Sequence, residues 1–385
     1  MLQSLRVSHV VSGFVALFVG YTGSVAIVFQ AAESAGATQA HIDSWLLVLG
    51  LGLGFLSIGL SLWYKAPILT AWSTPGAALL ISNLAGFSLG ESIGAFVVTG
   101  FLILVTGISG IFARVTQVIP AQLANALLAG ILIQFGIEAF AQLESAPWLV
   151  GSMLVGYFVS LRFLPRYAVP VSLAVGCTVA AWNSMFEPAM IQLKLATPVW
   201  TTPEFSIAAI IGVSLPLYFV TMASQNVPGM AVLRSCGYQT PVSPLTSWTG
   251  LTTVVAAPFG GFTYNLAAIT AAICAGKEAG ENPDTRYLAS VCGGVFYILA
   301  GIFGATIATL MAASPAALIL SIAGIALFST IGNSLAAGIA DDDTRMASLV
   351  TILIAASGVT FLGIGAAFWA IVGGMFVWLL TRGTR

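Results

Sequence analysis

Ala66-Pro67-Ile68-Leu69-Thr70-Ala71-Trp72-Ser73-Thr74-Pro75-Gly76-Ala77-Ala78 interrupts an otherwise apolar run of sequence. A second stretch interrupts another run in the same way: Ala257-Pro258-Phe259-Gly260-Gly261-Phe262-Thr263-Tyr264-Asn265-Leu266-Ala267-Ala268. The two Ala-Pro pairs are offset by 257 − 66 = 191 residues in a chain of 385. Each stretch opens on proline, which ends or kinks a helix, passes through strand-like or turn-prone residues, and resumes in small helix formers. At membrane depth, such a segment is tolerated only where its free backbone groups line a cavity or are buried in protein. Two interrupted segments at matching places in two halves of a chain mark the binding site of a transporter.

The composition places both stretches in a membrane. Hydrophobic residues are 58% of the chain and charged residues 6%, with a mean hydropathy of +1.02. A water-soluble domain carries roughly 25% charged residues, so this chain is read as an all-α polytopic membrane protein. Its 41 glycines suit close helix–helix approach in lipid. The net charge of −1 gives no basic footprint for nucleic acid. Cys177, Cys236, Cys274 and Cys292 show no metal-binding or redox spacing and read as small apolar fillers. The first apolar run is long enough to span and has no cleavage site of a signal peptide.

About 20 apolar residues cross the hydrocarbon core as a helix. Runs near 8–30, 45–64, 67–84, 91–113, 118–140, 147–163 and 167–186 predict seven spans in a first repeat, residues 1–186. A polar outer linker, 187–205, follows, with a short interfacial helix expected around Met190–Leu195. Runs near 206–231, 243–257, 259–276, 286–312, 315–338, 345–362 and 364–381 predict seven more in a second repeat, 206–385. With the N-terminus inside, Arg6, Lys65, Arg114, Arg162, Arg166, Arg234, Lys277, Arg286, Arg345, Arg382 and Arg385 fall on one side, and of the 12 basic residues only Lys194 falls on the other. Removing one span would scramble this bias, so fourteen spans with both termini cytoplasmic are expected. Seven being odd, the second half enters the membrane inverted, and both broken segments are third in their halves, as spans 3 and 10. Asp341-Asp342-Asp343 lacks a second acidic motif and reads as a solvated loop.

The breaks carry the chemistry. A helix that starts in mid-membrane presents unpaired N–H groups and the positive end of its dipole, an anion site without Lys or Arg. The first start is Ser73-Thr74-Pro75-Gly76, with Ser73 or Thr74 as N-cap, Pro75 in the first turn and Gly76 and Ala77 allowing close approach. The second is read at Thr263-Tyr264-Asn265, continuing through Leu266 and Ala267; caps of a plain helix are the alternative for Thr263 and Asn265. Trp72, Phe262 and Tyr264 supply aromatic surface, so the pair suits a small planar acid. The eighth span carries Tyr218, Thr221 and Ser224-Gln225-Asn226 before Pro228-Gly229, and the first carries Tyr21-Thr22-Gly23-Ser24. Polar groups in mid-span face the bundle interior; bridging of neighbouring helices is the other reading of Gln225 and Asn226. Intramembrane acids are nearly absent. Glu138, toward the outer end of the fifth span, and His9, at the inner end of the first, are the only candidates for proton coupling, and a coupled proton could instead ride on the substrate's carboxyl group. No metal site or cofactor is expected, and nothing suggests an enzyme.

Over essentially its full length the chain resembles the bacterial benzoate transport (BenE-type) proteins, benzoate/proton symporters. The resemblance is most specific in Ser224-Gln225-Asn226-Val227-Pro228-Gly229-Met230, Arg234-Ser235-Cys236-Gly237-Tyr238 and Ala257–Asn265, with Thr70–Gly76 in the first half. The layout is more distantly similar to the uracil and xanthine permeases and the sulfate-type anion carriers. That likeness implies a seven-plus-seven inverted fold, with spans 1–4 and 8–11 as a core and spans 5–7 and 12–14 as a gate. It also implies short strands near Pro67–Trp72 and Pro258–Phe262 leading into the half-helices. Where nucleobase permeases carry a substrate-binding Glu, this chain has Gln225-Asn226; where they carry a Glu before an Asn, it has Tyr264 before Asn265. Loss of both carboxylates removes repulsion toward an anion. The expected function is import of benzoate or a similar aromatic carboxylate across a bacterial inner membrane by proton symport and alternating access. An uncoupled or differently coupled organic-anion carrier and a nucleobase-permease-like carrier are the alternatives. The expected partners are the carboxylate substrate, protons and the lipid bilayer, without nucleic acid; a homodimer is the assembly considered.

Overall fold

The computed structural model describes residues 5–22, 24–111, 120–187, 193–267, 269–359, 361 and 366–381. Arg114, Gly23 and residues 190–192 of the expected interfacial helix lie outside the described residues; its described end, Leu193–Leu195, is not helical.

Helices dominate, as a lipid-embedded backbone requires. The first half of the chain contains α1 (Val7–Thr22), α2 (Val25–Ser34), α3 (Gln39–Tyr64), β1 (Thr70–Ala71), α4 (Thr74–Asn83), α5 (Leu89–Ser109), α6 (Ala121–Ala141), α7 (Pro147–Phe163) and α8 (Ala168–Trp182). The second contains α9 (Ile207–Arg234), α10 (Val242–Ala256), β2 (Asn265–Leu266), α11 (Ile269–Ala275), α12 (Tyr287–Ile302), α13 (Gly304–Ala312), α14 (Ala316–Ile339), α15 (Arg345–Ser357) and α16 (Ala366–Thr381). Six of the described helices are each long and apolar enough to cross a membrane, and α1 with α2, bent by 42°, makes a seventh such segment. The apolar helices α7, α8, α15 and α16 are shorter.

Two expected spans are broken rather than continuous. The first bends between α1 and α2, and the eleventh is interrupted at Phe303 between α12 and α13. The eighth stays continuous but widens into π turns at Ile210–Ser214 and Met222–Asn226. Pro216 and Pro228 follow these turns directly; each removes a backbone donor and crowds the preceding turn, which the wider π geometry relieves.

Helix pairs pack on glycine. The α3–α12 contact brings Gly54 against Gly294, where a Cβ on Gly54 would lie 2.6 Å from the Gly294 carbonyl. In lipid no hydrophobic force drives helices together, so this close backbone approach supplies the van der Waals contact that holds them. Further packing joins α1 to α12, α5 to α10 and α9, α6 to α14 and α15, α7 to α8 and α14, and α15 to α16.

The linker runs as a strap over one end of this bundle. The Ala196 N–H donates to Ile302 O, Val199 N–H to Ser44 Oγ, Thr201 N–H to Pro258 O and Glu204 N–H to Gly90 O. Lys194 pairs with the buried Asp43 at 3.1 Å, so that carboxylate is not left as an unpaired buried charge.

Candidate functional site

The two broken segments meet. β1 and β2 form an antiparallel pair with Thr70 opposite Leu266 and Ala71 opposite Asn265. The ladder continues through the Ala267 N–H, which donates to Leu69 O at 2.9 Å. Hydroxyls of neighbouring helices satisfy the backbone on either side. Ser57 Oγ accepts from the Thr70 N–H at 3.0 Å, Ser61 Oγ from Ile68 N–H at 3.2 Å, and Thr253 Oγ1 from Tyr264 N–H at 3.1 Å. Thr70, Ser73, Thr263 and Asn265 are fully buried, so each of these bonds replaces one that water cannot make.

The second break is displaced from where the sequence placed it. The strand expected near Pro258–Phe262 is a 3-10 turn at Ala257–Phe259, and at Thr263-Tyr264-Asn265, the expected start of the half-helix, the chain is not yet helical; the described part of the helix runs from Ile269. Gly260 causes the shift. At φ +98 it turns the chain under Trp45, where a Cβ would lie 1.7 Å from the indole. The chain then needs four more residues to reach β1, and Asn265 and Leu266 become strand.

The first break matches the expectation more closely. Ser73 caps α4: its hydroxyl accepts from the Gly76 N–H at 2.9 Å and its carbonyl from the Ala77 N–H at 2.8 Å. Gly76 and Ala77 are therefore committed, and Pro75 has no N–H. What α4 still offers is the Thr74 N–H, which has no intrahelical partner, and the Ser73 N–H, whose contact to Thr263 Oγ1 is long at 3.4 Å.

Asn265 and Asn226 complete a donor-rich cluster. Asn226 Oδ1, at the end of the second π turn, accepts from the Leu266 N–H at 3.2 Å. Its amide nitrogen faces the Asn265 amide at 3.3 Å and the Met222 sulfur at 3.4 Å. Asn265 satisfies the backbone best with its oxygen accepting from the Ser73 N–H at 3.3 Å and its nitrogen donating to Tyr264 O at 2.9 Å. Asn226 Nδ2 then keeps only the weakly accepting sulfur. Turning the Asn265 amide over pairs the two asparagines and leaves Ser73 N–H with only its long contact to Thr263 Oγ1 at 3.4 Å. In either orientation one donor lacks a good acceptor.

Aromatic residues divide between site and scaffold. The Trp72 indole N–H donates to Ser24 Oγ at 2.8 Å, and its ring meets Tyr21 edge-on at 5.2 Å and Tyr297 at 6.3 Å. Tyr264 instead donates its hydroxyl to Val48 O at 2.7 Å and presses its ring on Gly52. Phe262 packs with Trp45 and Phe96. Both brace the turn rather than face the cluster. Leu266 packs on Gly229, and Gln225 is half-buried on the π turn beside Asn226. Gln142 Nε2, at the C-cap of α6, donates to Glu138 Oε1, and His9 Nδ1 accepts from the Arg6 N–H at 3.0 Å at the start of α1. Tyr297 and the supporting hydroxyls of Ser57, Ser61 and Thr253 were not singled out by sequence. A hydroxyl within reach of a proline-broken segment was the available signal.

The sequence profile of the family described as benzoate membrane transport protein matches residues 3–380. "Inner membrane protein YdcO" of Escherichia coli (strain K12) is 47% identical over 373 residues, 97% of this chain and 95% of that protein. The "Benzoate membrane transport protein" of Acinetobacter baylyi is 35% identical over 378 residues, 98% of this chain and 96% of that one. Among solved structures, the transmembrane domain of the cyanobacterial bicarbonate transporter BicA matches with a TM-score of 0.56 at 12% identity, covering 97% of this chain and 96% of its own. The murine Slc26a9 anion transporter in its inward-facing state matches with a TM-score of 0.58 at 11% identity, covering 98% of this chain and 68% of its own. The fold is thus shared with these anion transporters, while sequence likeness runs to a narrower group of membrane transport proteins rather than enzymes. This chain belongs to the benzoate membrane transport protein family.

Proposed function

We propose that the protein imports benzoate or a similar aromatic carboxylate across a bacterial inner membrane by proton symport with alternating access. The observation that carries this reading is the surplus of hydrogen-bond donors at the strand crossing. Ser73 N–H, Thr74 N–H and the Asn226 and Asn265 amides converge where neither Asp, Glu, Lys nor Arg is present among the residues that build the crossing. A carboxylate supplies the acceptor this set lacks, and charge-assisted bonds at a helix N-terminus are the strong kind. Trp72 flanks the ring, and Gln225 orients the substrate from the π turn.

The same crossing supports fourteen spans in two inverted halves. β1 precedes β2 by 265 − 70 = 195 residues, and α4 precedes α11 by 269 − 74 = 195. At this offset the pairing of Thr70 with Leu266 maps onto that of Ala71 with Asn265. Lys65 and Gly260, both at positive φ, are also 195 apart. Exchanging each span for its counterpart turns the α3–α12 contact into α10–α5 and the α7–α8 contact into α15–α16, all of which exist. The Ala-Pro offset of 191 is therefore four residues from the structural equivalence. In this reading spans 1–4 and 8–11 move as a core against a gate of spans 5–7 and 12–14, and both termini are cytoplasmic.

The test is benzoate uptake by purified protein in proteoliposomes. Asn265→Ala and Gln225→Ala each weaken apparent affinity about tenfold, the effect of about 1.4 kcal/mol; unchanged affinity in both overturns the assigned site. The crossing has no titratable carboxylate or imidazole, which favours one second reading, an uncoupled carrier of organic anions. Symport predicts that uptake accelerates when the outside is acidified, and indifference to an imposed pH gradient selects the second reading.

A further inference from the structure

We propose that Tyr21 determines specificity, its hydroxyl reading a polar substituent on the substrate ring, so that hydroxylated benzoates are the favoured class. This rests on the proposed carboxylate site and adds the far end of the same ligand. Tyr21 lies in the last turn of α1, just before the 42° bend of the first span, and is 8% exposed. Its hydroxyl is buried and has no hydrogen-bond partner. A buried tyrosine hydroxyl ordinarily finds one. The ring stands edge-on to Trp72, the residue just before the α4 cap, and Trp72 in turn stands edge-on to Tyr297.

The preceding residue is closely packed against neighbouring elements. A Cβ on Gly20 would lie 3.2 Å from Thr270 Cγ2, in α11, and 3.4 Å from the Tyr297 hydroxyl. Gly20 thus brings this end of α1 close to the second half-helix and to Tyr297, while the Tyr21 ring lies against Trp72. The Trp72 indole N–H is already spent on Ser24, itself bonded to Gly20 O at 2.7 Å. Ser24 thus positions the ring surface, and Tyr21 holds the uncommitted polar group beside it. A ring lying along Trp72 with its carboxylate toward Thr74 would direct a substituent at this hydroxyl.

Competition binding of benzoate and of 2-, 3- and 4-hydroxybenzoate to the detergent-purified protein tests this. In the wild type at least one hydroxybenzoate is expected to bind about tenfold tighter than benzoate, and Tyr21→Phe should collapse that ratio to within about twofold. Ser24→Ala frees the indole and should weaken all four ligands together, leaving the ratio intact. Ratios that are the same in wild type and Tyr21→Phe overturn the role of Tyr21 while leaving the carboxylate site standing. Absence of binding by every benzoate overturns both.

Discussion

The two breaks share a backbone plan and divide the chemistry. The first is built around a capped helix end: Ser73 closes the first turn of the ten-residue α4 and leaves backbone N–H groups facing the crossing. The second feeds a helix of only seven residues, and what it brings to the crossing is side chains, Thr263 and Asn265, together with Asn226 of the adjacent π turn. The ladder is symmetric at an offset of 195 residues, but its donors are backbone on one side and amide on the other. Two like helix ends would fix charge without direction. Asparagine amides add direction, which a planar carboxylate can use.

Substitutions around the two breaks separate plan from chemistry. The largest effect is expected at Gly260→Ala, where left-handed strain and a clash with Trp45 add up to about 3 kcal/mol or more of destabilisation. Thermal unfolding in detergent should show it as a large fall in Tm or as loss of folded protein. Asn226→Leu removes the acceptor of the Leu266 N–H and leaves a buried ladder donor unsatisfied, a cost of about 2 kcal/mol. A Tm equal to wild type would mean that the second break does not depend on its side chains. Ser73→Ala removes the α4 cap, costing about 1 kcal/mol in stability. Benzoate should bind this variant roughly fivefold more weakly, because the first break works through its helix end. Lys65→Gly, at the counterpart of Gly260, should change stability by only about 0.5 kcal/mol. Relief of its φ of +52 is offset there by loss of the cation–π contact to Tyr287 at 4.8 Å.

How much of this was legible in the sequence follows the same division. Composition and the two proline breaks revealed a polytopic membrane protein with paired interruptions, because lipid forbids most alternatives. Ser73-Thr74-Pro75-Gly76 announced its helix start correctly, since cap and first-turn proline are local signals. The second start was read too early. Thr263 and Asn265 look like caps, yet the strand partner that claims Asn265 is 194 residues away at Ala71, and no local pattern records it. Tyr264 and Phe262 were read as ligand-facing for the same reason. Their aromatic character is visible in sequence, but the direction set by Gly260 and the carbonyl of Val48 is tertiary. Tyr297, deep in an apolar helix, gave no sign of standing beside Trp72.

The central claim, that the surplus donors at the crossing recognise a carboxylate, is tested most directly by titrating the purified protein calorimetrically with benzoate and with benzamide. The two share a ring and nearly a shape, but benzamide is neutral and brings two donors of its own. Charge-assisted bonds predict that benzoate binds about 10- to 100-fold tighter. Equal affinities, or tighter binding of benzamide, would contradict the account.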